Sequence, residues 1–164
     1  MYASYYAGAL LTVTAKTWGV DMGDKNGFYT LKGYQYKERA ELTPAMEDYL
    51  EMICRSLCVS ETVRIGELAT KLHVKPSSAT KIVQQLALTG YVDSQRYADV
   101  RLTDKGREAG AYLMYRHSVL ERFLKVLNNS EDELTEVEKI EHFFDVKTIE
   151  NLDALTQRLE TERV

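Results

Sequence analysis

The sequence predicts a mostly α-helical protein in which a small β-hairpin separates two groups of helices. Three observations support this prediction. Apolar residues recur at helical spacing in several segments of the 164-residue chain, which contains only 2 prolines and 9 glycines. One β-prone stretch follows two adjacent helical segments. The 45% hydrophobic content is typical of a chain that buries a core rather than of a disordered chain.

The composition also indicates where the protein acts. No apolar run approaches the roughly 18 residues that a membrane span requires, and no basic residue precedes the short apolar stretch near the N-terminus. Neither a membrane partner nor a signal peptide is therefore expected. Cys54 and Cys58 lie four residues apart in a helical pattern, which favours reduced, buried thiols in a cytoplasmic protein over a disulfide or a thiolate metal site.

The net charge of −4 conceals a separation of charge along the chain. Residues 1–61 carry a net charge of −2, residues 62–116 a net charge of +4 and residues 117–164 a net charge of −6. A basic middle segment is typical of a DNA-binding module, whereas an acidic C-terminal segment suits the binding of cations.

The first regular element is expected to begin at Thr43 and Pro44, after an N-terminal extension of unknown role at residues 1–41. Thr43 suits a helix N-cap and Pro44 suits the first helical position, and an apolar stripe follows them. Asp48 and Glu51 lie three residues apart on another side of the same helix. Acids in a first helical turn complement the helix dipole, which explains Asp48 better than Glu51.

Residues 63–86 are predicted to form two helices joined by a short turn. The second helix is expected to begin near Ala79, after a turn at residues 75–78, and to bury one apolar side. Its outward side and the preceding turn carry Lys75, Ser77, Ser78, Lys81 and Gln84. Hydroxyl and amide groups can read base edges and lysines can bind phosphates, while no carboxylate on this side would repel the DNA backbone.

A predicted hairpin follows these two helices. Gly90 suits the C-terminal end of the second helix, and residues 91–103 contain two β-prone runs around a polar turn that carries Arg96. Helix, turn, helix and hairpin in this order predict a winged helix-turn-helix over residues 42–103, with Arg96 of the wing facing DNA. DNA binding is favoured over a winged helix that is used only for protein contact.

The most informative acidic stretch is residues 135–143. Read as a helix, it places Glu138, Glu141 and His142 on one side, because residues three and four apart share a helical face. Two carboxylates and an imidazole form half of a site for a divalent cation, although the pattern alone fits a solvated acidic face better. His117, on the long helix that follows the hairpin, is either a structural histidine or a further ligand.

A last amphipathic helix is predicted over residues 146–159. Its apolar side is small and consists of Ile149, Leu152, Leu155 and Leu159. So small an apolar side suits packing against a second copy of the same subunit.

Five stretches of the sequence resemble the metal-dependent repressors of the diphtheria toxin repressor family. They are LTPAMEDYLEMI, VKPSSATKIVQQL, LTDKGREAG, YRHSVLERFL and EVEKIEH, and they follow one another in unbroken order between residues 42 and 159. The resemblance is strongest to the short manganese transport regulators of that family. It implies a winged-helix DNA-binding domain followed, in residues 104–164, by a helical metal-binding and dimerisation domain.

The resemblance also implies a site for two Mn²⁺ ions per subunit. The six positions that correspond to side-chain ligands in the family hold Asp48, Glu51, His117, Glu138, Glu141 and His142. In the manganese branch Glu138 and Glu141 would bridge the two ions, and the backbone carbonyl of Lys139 is a further candidate ligand.

The donor atoms favour manganese over iron. In iron-responsive members of the family a methionine stands at the position of Asp48 and a cysteine at that of Glu138, whereas this chain has carboxylates at both. Carboxylates and imidazoles without a thiolate suit Mn²⁺ better than softer ions. An iron-responsive regulator that binds Fe²⁺ is the alternative within the same family.

The expected function is manganese-responsive repression of metal uptake genes. Carboxylates held close together repel one another without a cation, so bound metal is expected to hold the first helix against the helices that carry the other ligands. A homodimer ordered in this way would present two reading helices to a palindromic operator in double-stranded DNA. The resemblance implies operator contacts from Lys75, Ser77 and Lys81, and from Arg96 in the wing.

Two other functions fit the sequence less well. A di-metal carboxylate enzyme pairs Glu with His at i,i+3 on two helices. Here His142 stands four residues after Glu138, and no second Glu-x-x-His is present. A winged-helix sensor of an organic ligand would leave the six acidic and imidazole positions without a role. Neither an enzyme nor a small organic ligand is therefore expected.

Overall fold

The computed structural model of the chain describes residues 41–60, 62–93 and 99–162. Within these residues the helices are α1 (Pro44–Leu57), α2 (Ile65–Lys71), α3 (Pro76–Leu88), α4 (Asp104–Asn128), α5 (Leu134–Ile140) and α6 (Val146–Glu162). A 3₁₀ turn (Glu141–Phe143) follows α5, and the strands β1 (Val92–Asp93) and β2 (Arg101–Leu102) lie between α3 and α4. The predicted fold class, mostly helical with one small hairpin, is confirmed.

The two strands form the base of the predicted wing. They pair antiparallel, with Val92 opposite Leu102. Arg96, expected in the wing, lies outside the described residues, and so does the N-terminal extension apart from Glu41. Among the helices that the structure describes, none has both the length and the apolar character needed to cross a membrane.

The starts of α1 and α3 follow from their capping residues. Thr43 Oγ1 accepts a hydrogen bond at 3.4 Å from a backbone N–H three residues further on, and Pro44 occupies the first helical position, as predicted. α3 begins at Pro76 rather than near Ala79, because proline suits a first helical turn and Lys75 takes the N-cap position. The two serines that follow Pro76 therefore belong to the first turn of α3.

Two apolar clusters organise the described helices. The first joins α1, α2, α3 and the hairpin, and among its fully buried side chains are Leu50, Ile53, Leu68, Val83, Leu86 and Val100. The second is smaller, joins α4, α5 and α6, and is formed by Val119, Leu120, Val137 and Ile149. Because α1 and α3 share the first cluster, the position of α3 depends on the position of α1.

α4 packs closely against both the hairpin and α1. Thr103 caps it by accepting a hydrogen bond from the Gly106 N–H at 3.0 Å. Gly106 lies so close to the backbone of Tyr91 that a Cβ atom would stand 1.9 Å from the Tyr91 carbonyl oxygen. About one helical turn further along α4, Gly110 lies against α1, where a Cβ atom would stand 2.5 Å from Cys54 Sγ. Both close approaches require the absence of a side chain.

The structure agrees only in part with the prediction of two reduced, buried cysteines. Both are free, as predicted, and Cys54 is partly buried beneath Gly110. Cys58 is exposed, because it lies at the C-terminal cap of α1, beyond the part of the helix that packs on the core. The expectation of two buried thiols is therefore wrong for Cys58.

The close approach at Gly106 predicts a large effect of the smallest side chain. In Gly106→Ala the methyl group would meet the Tyr91 carbonyl, so we expect the free energy of unfolding to fall by about 2 kcal/mol or more. Urea unfolding measures this change.

Gly66→Ala is the matched control, because Gly66 lies in α2 and its added methyl group would have no heavy atom within 4 Å apart from those of its chain neighbours and of its own helix backbone. This variant should gain about 0.5–1 kcal/mol of stability from the better helix propensity of alanine. A similar change in both variants would contradict the close packing of α4 on the hairpin.

Candidate metal centre

Five of the six predicted ligand side chains converge between α1, α4 and the 3₁₀ turn. α1 contributes Asp48 and Glu51, α4 contributes His117, and the turn contributes Glu141 and His142. Asp48 and Glu51 lie three residues apart and therefore face the same way from α1. Glu51 and Glu141 are both buried, which carboxylates tolerate only when they are paired.

The converging side chains form two groups of three that could each hold a metal ion. The first group consists of Asp48, Glu141 and His142. The second group consists of Glu51, His117 and Glu141. Within each group the ligand atoms lie within 4.8 Å of one another. His142 Nε2 lies 3.0 Å from Asp48 Oδ1, and His117 Nδ1 lies 3.1 Å from Glu141 Oε2. Glu141 belongs to both groups and is only 2% exposed. It is therefore the residue that could bridge two ions.

Glu138, the sixth predicted ligand, lies outside both groups. The helix expected to carry Glu138, Glu141 and His142 together ends at Ile140, so the predicted single helical face is wrong. A 3₁₀ turn has about three residues per turn, and its side chains leave in other directions than those of an α-helix. The Glu138 side chain is 54% exposed, and its Oε1 lies 3.8 Å from His117 Nδ1. Partial burial and the neighbouring Glu141 carboxylate raise the pKa of Glu138.

An open cleft of about 260 Å³ gives access to these carboxylates. Its lining consists of Asp48, Glu51, Met52, Arg55, Leu72, Glu138 and Glu141. A water molecule takes up about 30 Å³ of the liquid, so the cleft has room for a cation together with several water molecules. Four of the seven lining residues are acidic, and a cleft lined by one sign of charge concentrates ions of the other sign.

His142 is held by two residues that were not recognised from the sequence. Glu47 Oε2 accepts a hydrogen bond from His142 Nδ1 at 2.7 Å and another from Arg116 Nη2 at 2.8 Å. The Arg116 side chain is only 4% exposed, so this contact lies inside the protein. With Nδ1 bound to Glu47, the Nε2 atom of His142 faces Asp48, as a metal-binding nitrogen would. In the sequence Glu47 is an ordinary acid of a first helical turn, and Arg116 has no distinguishing pattern.

Without a metal ion, the imidazoles contribute positive charge to the centre. Hydrogen bonds to Asp48 and Glu47 raise the pKa of His142 to about 9, against the effect of burial. The Glu141 carboxylate likewise raises the pKa of His117. Because a metal ion binds neutral imidazole, metal binding and protonation would compete at both histidines.

The donor set fits a divalent cation that prefers oxygen and imidazole ligands. Neither group of three contains a thiolate, and Cys54 and Cys58 belong to neither. In the part of the chain that the structure describes, no other group of His, Cys, Asp or Glu side chains meets the same geometry. Carboxylate-rich sets of this kind suit the harder divalent ions, among them Mn²⁺.

The predicted DNA-facing side chains lie together on the exposed side of α3 and at its N-cap. They are Lys75, Ser77, Ser78, Lys81 and Gln84. The opposite side of α3, with Ala79, Val83 and Leu86, is buried in the first apolar cluster. No residue of α3 is acidic. This helix therefore offers hydrogen-bonding groups and positive charge without repelling DNA, as a helix in the major groove requires.

Both halves of the described chain match models of known domains. Residues 41–100 match the N-terminal DNA-binding domain of iron-dependent repressors. Residues 103–163 match the metal-binding and dimerisation domain of iron-dependent repressors. These matches confirm the resemblance that the sequence motifs indicate.

Individual proteins show the same likeness. The chain is 37% identical over 121 residues to the HTH-type transcriptional regulators MntR of Bacillus velezensis and Bacillus subtilis, which covers 73% of this chain and 85% of each relative. A solved manganese-dependent transcriptional repressor in complex with manganese is 30% identical with a TM-score of 0.64, covering 68% of this chain and 52% of that chain. For the manganese regulator SloR the identity is 30%, the TM-score 0.62 and the coverage 71% and 55%. The chain thus spans about half the length of these two solved structures.

The raised pKa of His142 predicts that the stability of the metal-free protein depends on pH. A folded-state pKa of about 9, against 6.5 ordinarily, means that the ion pairs with Asp48 and Glu47 stabilise the fold fully below pH 6.5. Their contribution is lost as the pH rises through about 9. We therefore expect His142 to contribute about 1–3 kcal/mol less to the free energy of unfolding at the upper end of this range. Guanidinium unfolding in the presence of a chelator measures it.

His142→Gln is the direct test, because glutamine can form hydrogen bonds but does not titrate. The difference in unfolding free energy between wild type and this variant should shrink as the pH rises. Arg116, which faces the same Glu47 carboxylate, is present in both proteins and contributes equally. His73→Asn removes an exposed histidine at a left-handed position (φ 52°) that asparagine tolerates, and should keep the wild-type dependence. The same pH profile in all three proteins would contradict the raised pKa.

Proposed function

The chain belongs to the iron-dependent repressor family, and from this we infer that it is a manganese-responsive, DNA-binding transcriptional regulator. The observation that carries the inference is the pair of ligand groups that share the buried Glu141 and contain only carboxylates and imidazoles. The relatives named MntR and the manganese-dependent repressor of known structure support manganese over iron. The matched domains bind DNA, bind metal and dimerise, so the protein is a regulator and not an enzyme.

We propose that each subunit binds two Mn²⁺ ions through the six predicted ligands. The two groups that share Glu141 would each hold one ion, and Glu138 and the carbonyl of Lys139 would add ligands from the end of α5. The presence of Glu138 and Glu141 in the lining of one cleft supports this assignment. Iron-responsive members of the family have methionine and cysteine at the positions of Asp48 and Glu138. The two carboxylates of this chain keep the ligand set rich in oxygen and favour Mn²⁺ over Fe²⁺.

The fold itself brings acidic side chains from separate helical elements together at the centre. α1 and α4 are held together by apolar packing and by the close approach of Cys54 to Gly110, which need no metal. The 3₁₀ turn meets α1 through charged side chains, as in the ion pair of His142 with Asp48. A bound divalent cation would supply the positive charge that offsets repulsion among the carboxylates. α1 would then be fixed against the turn, and so would α3, which shares the first apolar cluster with α1.

We propose that a homodimer presents one α3 helix to each half of a palindromic operator in double-stranded DNA. The exposed polar side of α3 and the match to a dimerisation domain support this arrangement. Half-sites one helical turn apart, or a multiple of it, require a fixed separation between the two α3 helices. The proposed contacts are Ser77, Ser78 and Gln84 with base edges and Lys75, Lys81 and Arg96 with phosphates. Manganese binding would thereby repress genes for metal uptake.

We propose that residues 42–103 form the DNA-binding domain and that residues 104–164 form the metal-binding and dimerisation domain. The metal centre joins the two parts, because Asp48 and Glu51 reach it from α1. No role is proposed for residues 1–41. A regulator of transcription would act in the cytoplasm, where it meets DNA.

The dimer surface is proposed to include apolar side chains that a single subunit leaves exposed. Phe143, Val146 and Leu155 are exposed around the 3₁₀ turn and α6. Ile149 of the same helix is buried within the subunit, so the predicted apolar side of α6 is divided between core and surface. Exposed apolar groups of this kind are typical of a surface that a second subunit covers.

The shared position of Glu141 predicts how the number of bound ions changes with each ligand. We expect two Mn²⁺ per subunit for the wild type, one for Asp48→Ala, one for Glu51→Ala and none bound tightly for Glu141→Ala. The reason is that Glu141 occurs in both groups, whereas Asp48 and Glu51 occur in one each. Calorimetric titration and electron paramagnetic resonance of Mn²⁺ count the ions, and a palindromic duplex from the promoter region of the gene reports DNA affinity.

Glu136→Ala is the matched control, because Glu136 is an exposed acid of α5 that pairs with Lys139 and belongs to neither group. It should bind two ions and respond to manganese as the wild type does. Glu138→Ala should keep its fold but lose metal-dependent DNA binding. Two tightly bound ions in Glu141→Ala would contradict the shared ligand, and full manganese activation of Glu138→Ala would contradict the role of Glu138.

The exposed side of α3 predicts separate effects on affinity and on sequence preference. Lys75→Ala and Lys81→Ala should weaken binding to operator and unrelated DNA alike, each reducing the slope of log affinity against log salt by about 1. Gln84→Ala should cost about 1–3 kcal/mol at the operator only, because it would remove a base contact. Fluorescence anisotropy in excess Mn²⁺ at several salt concentrations measures both effects. Lys147→Ala, an exposed position of α6, is the control, and an equal loss there would contradict the role of α3.

A further inference from the structure

Arg55 lines the metal cleft, and none of the proposed metal or DNA contacts uses it. It lies on α1, four residues after Glu51, and shares the lining of the cleft with Asp48, Glu138 and Glu141. Of the described residues that line this cleft, Arg55 is the one with a positive charge. Its side chain is 43% exposed, so the guanidinium group is neither locked in the core nor fully solvated.

The guanidinium group of Arg55 binds one particular oxygen of Glu51. Arg55 Nε and Nη2 both donate to Glu51 Oε1, at 2.8 Å and 2.5 Å. The same oxygen lies 3.8 Å from His117 Nδ1, within the group formed by Glu51, His117 and Glu141. Arg55 therefore occupies the carboxylate oxygen of Glu51 that faces the other ligands of this group.

The surroundings distinguish this contact from an ordinary helix ion pair. Glu and Arg four residues apart on an exposed helix contribute little, because both side chains remain in water. The Glu51 side chain is only 9% exposed, so its charge is much less screened by water. The contact also lies among several carboxylates instead of standing alone. The charge of Arg55 therefore acts on the whole cleft.

We propose that Arg55 is a built-in competitor of the metal ion. Its guanidinium group neutralises Glu51 in the metal-free protein and has to leave Oε1 before that oxygen can bind a cation. The proposal rests on the proposed function, because it requires Glu51 to be a metal ligand. Arg55 thereby raises the manganese concentration at which the protein responds.

The charge of Arg55 has opposite effects in the two states of the centre. In the metal-free protein it offsets the repulsion among the carboxylates and so stabilises the fold. Towards an entering divalent cation the same charge is repulsive. A guanidinium group does not lose its proton in proteins, so it competes at every physiological pH and yields only by moving. Its long, partly exposed side chain permits that movement towards water.

Arg55→Gln removes the charge and keeps a polar side chain. We expect the affinity for Mn²⁺ to rise about tenfold at one of the two sites, and manganese-dependent DNA binding to need correspondingly less Mn²⁺. In the presence of a chelator, the same variant should melt at a lower temperature than the wild type, because the carboxylates lose a counter-charge. The rise in melting temperature on adding Mn²⁺ should therefore be larger in the variant.

Two further variants test whether the effect depends on a positive charge at the cleft or on the net charge of the protein. Arg55→Lys keeps a positive charge at the cleft, and should stay much closer to the wild type than Arg55→Gln in both Mn²⁺ affinity and metal-free melting temperature. Arg107→Gln removes an exposed arginine of α4 that does not line the cleft. It changes the net charge by the same amount and should leave the Mn²⁺ affinity unchanged. Calorimetric titration with Mn²⁺ and thermal melting are performed on all four proteins.

The outcomes distinguish this proposal from the proposed function. If neither the wild type nor Arg55→Gln binds Mn²⁺ tightly, the proposed function itself is wrong. If the wild type binds Mn²⁺ and Arg55→Gln binds it equally or more weakly, competition by Arg55 is wrong. An equal gain in affinity in Arg55→Gln and Arg107→Gln would also overturn the proposal, because the effect would then belong to net charge. Tighter binding confined to Arg55→Gln, with a lower metal-free melting temperature, supports it.

Discussion

The candidate metal centre depends on carboxylates that are held closer together than their charges favour. Glu141 and Glu51 are buried, and burial makes an unpaired carboxylate costly. The chain compensates with its own cations, each placed against one of the acids. The pairs are His117 with Glu141, His142 with Asp48 and Arg55 with Glu51. In the metal-free protein these side chains supply positive charge that a divalent cation would otherwise bring, which explains why so acidic a centre can form within a stable fold.

The position of α1 links this charge balance to the DNA-binding helix. One side of α1 carries Asp48 and Glu51, and another contributes Leu50 and Ile53 to the first apolar cluster, into which α3 also packs. Close-packed cores transmit strain instead of absorbing it. The close approach of α1 to α4 at Gly110 leaves room for small displacements only. Under the proposed function, a change of charge at the centre would reach α3 as a small shift of a packed unit, and such a shift would alter the spacing of the two α3 helices in a dimer.

Short-range signals in the sequence were sufficient for the helix starts and the types of ligand, but not for the arrangement of the centre. Thr43 and Thr103 cap their helices through backbone groups three residues away, so their roles can be predicted from the sequence. Glu47 and Arg116 are 69 residues apart and meet only because α1 packs on α4. Helical spacing predicts the direction of the Glu141 side chain only if α5 continues to that residue. α5 ends at Ile140, one residue before Glu141. Contacts between distant elements leave no periodic pattern, so these features required the structure.

The two proposed ligand groups differ in the positive charge that has to leave before a divalent cation can bind. In the group that contains Asp48 and His142, the competing charge would be a proton on an imidazole that is itself a proposed ligand, so its release would depend on pH. In the group that contains Glu51, the guanidinium group of Arg55 would compete as well, and it could only move away. A rise in pH would therefore favour occupation of the first group more than that of the second. Because Glu141 belongs to both groups, neutralising its charge in one also changes the repulsion in the other. Under the proposed function, a shared buried carboxylate would thus couple two sites that respond to different competitors.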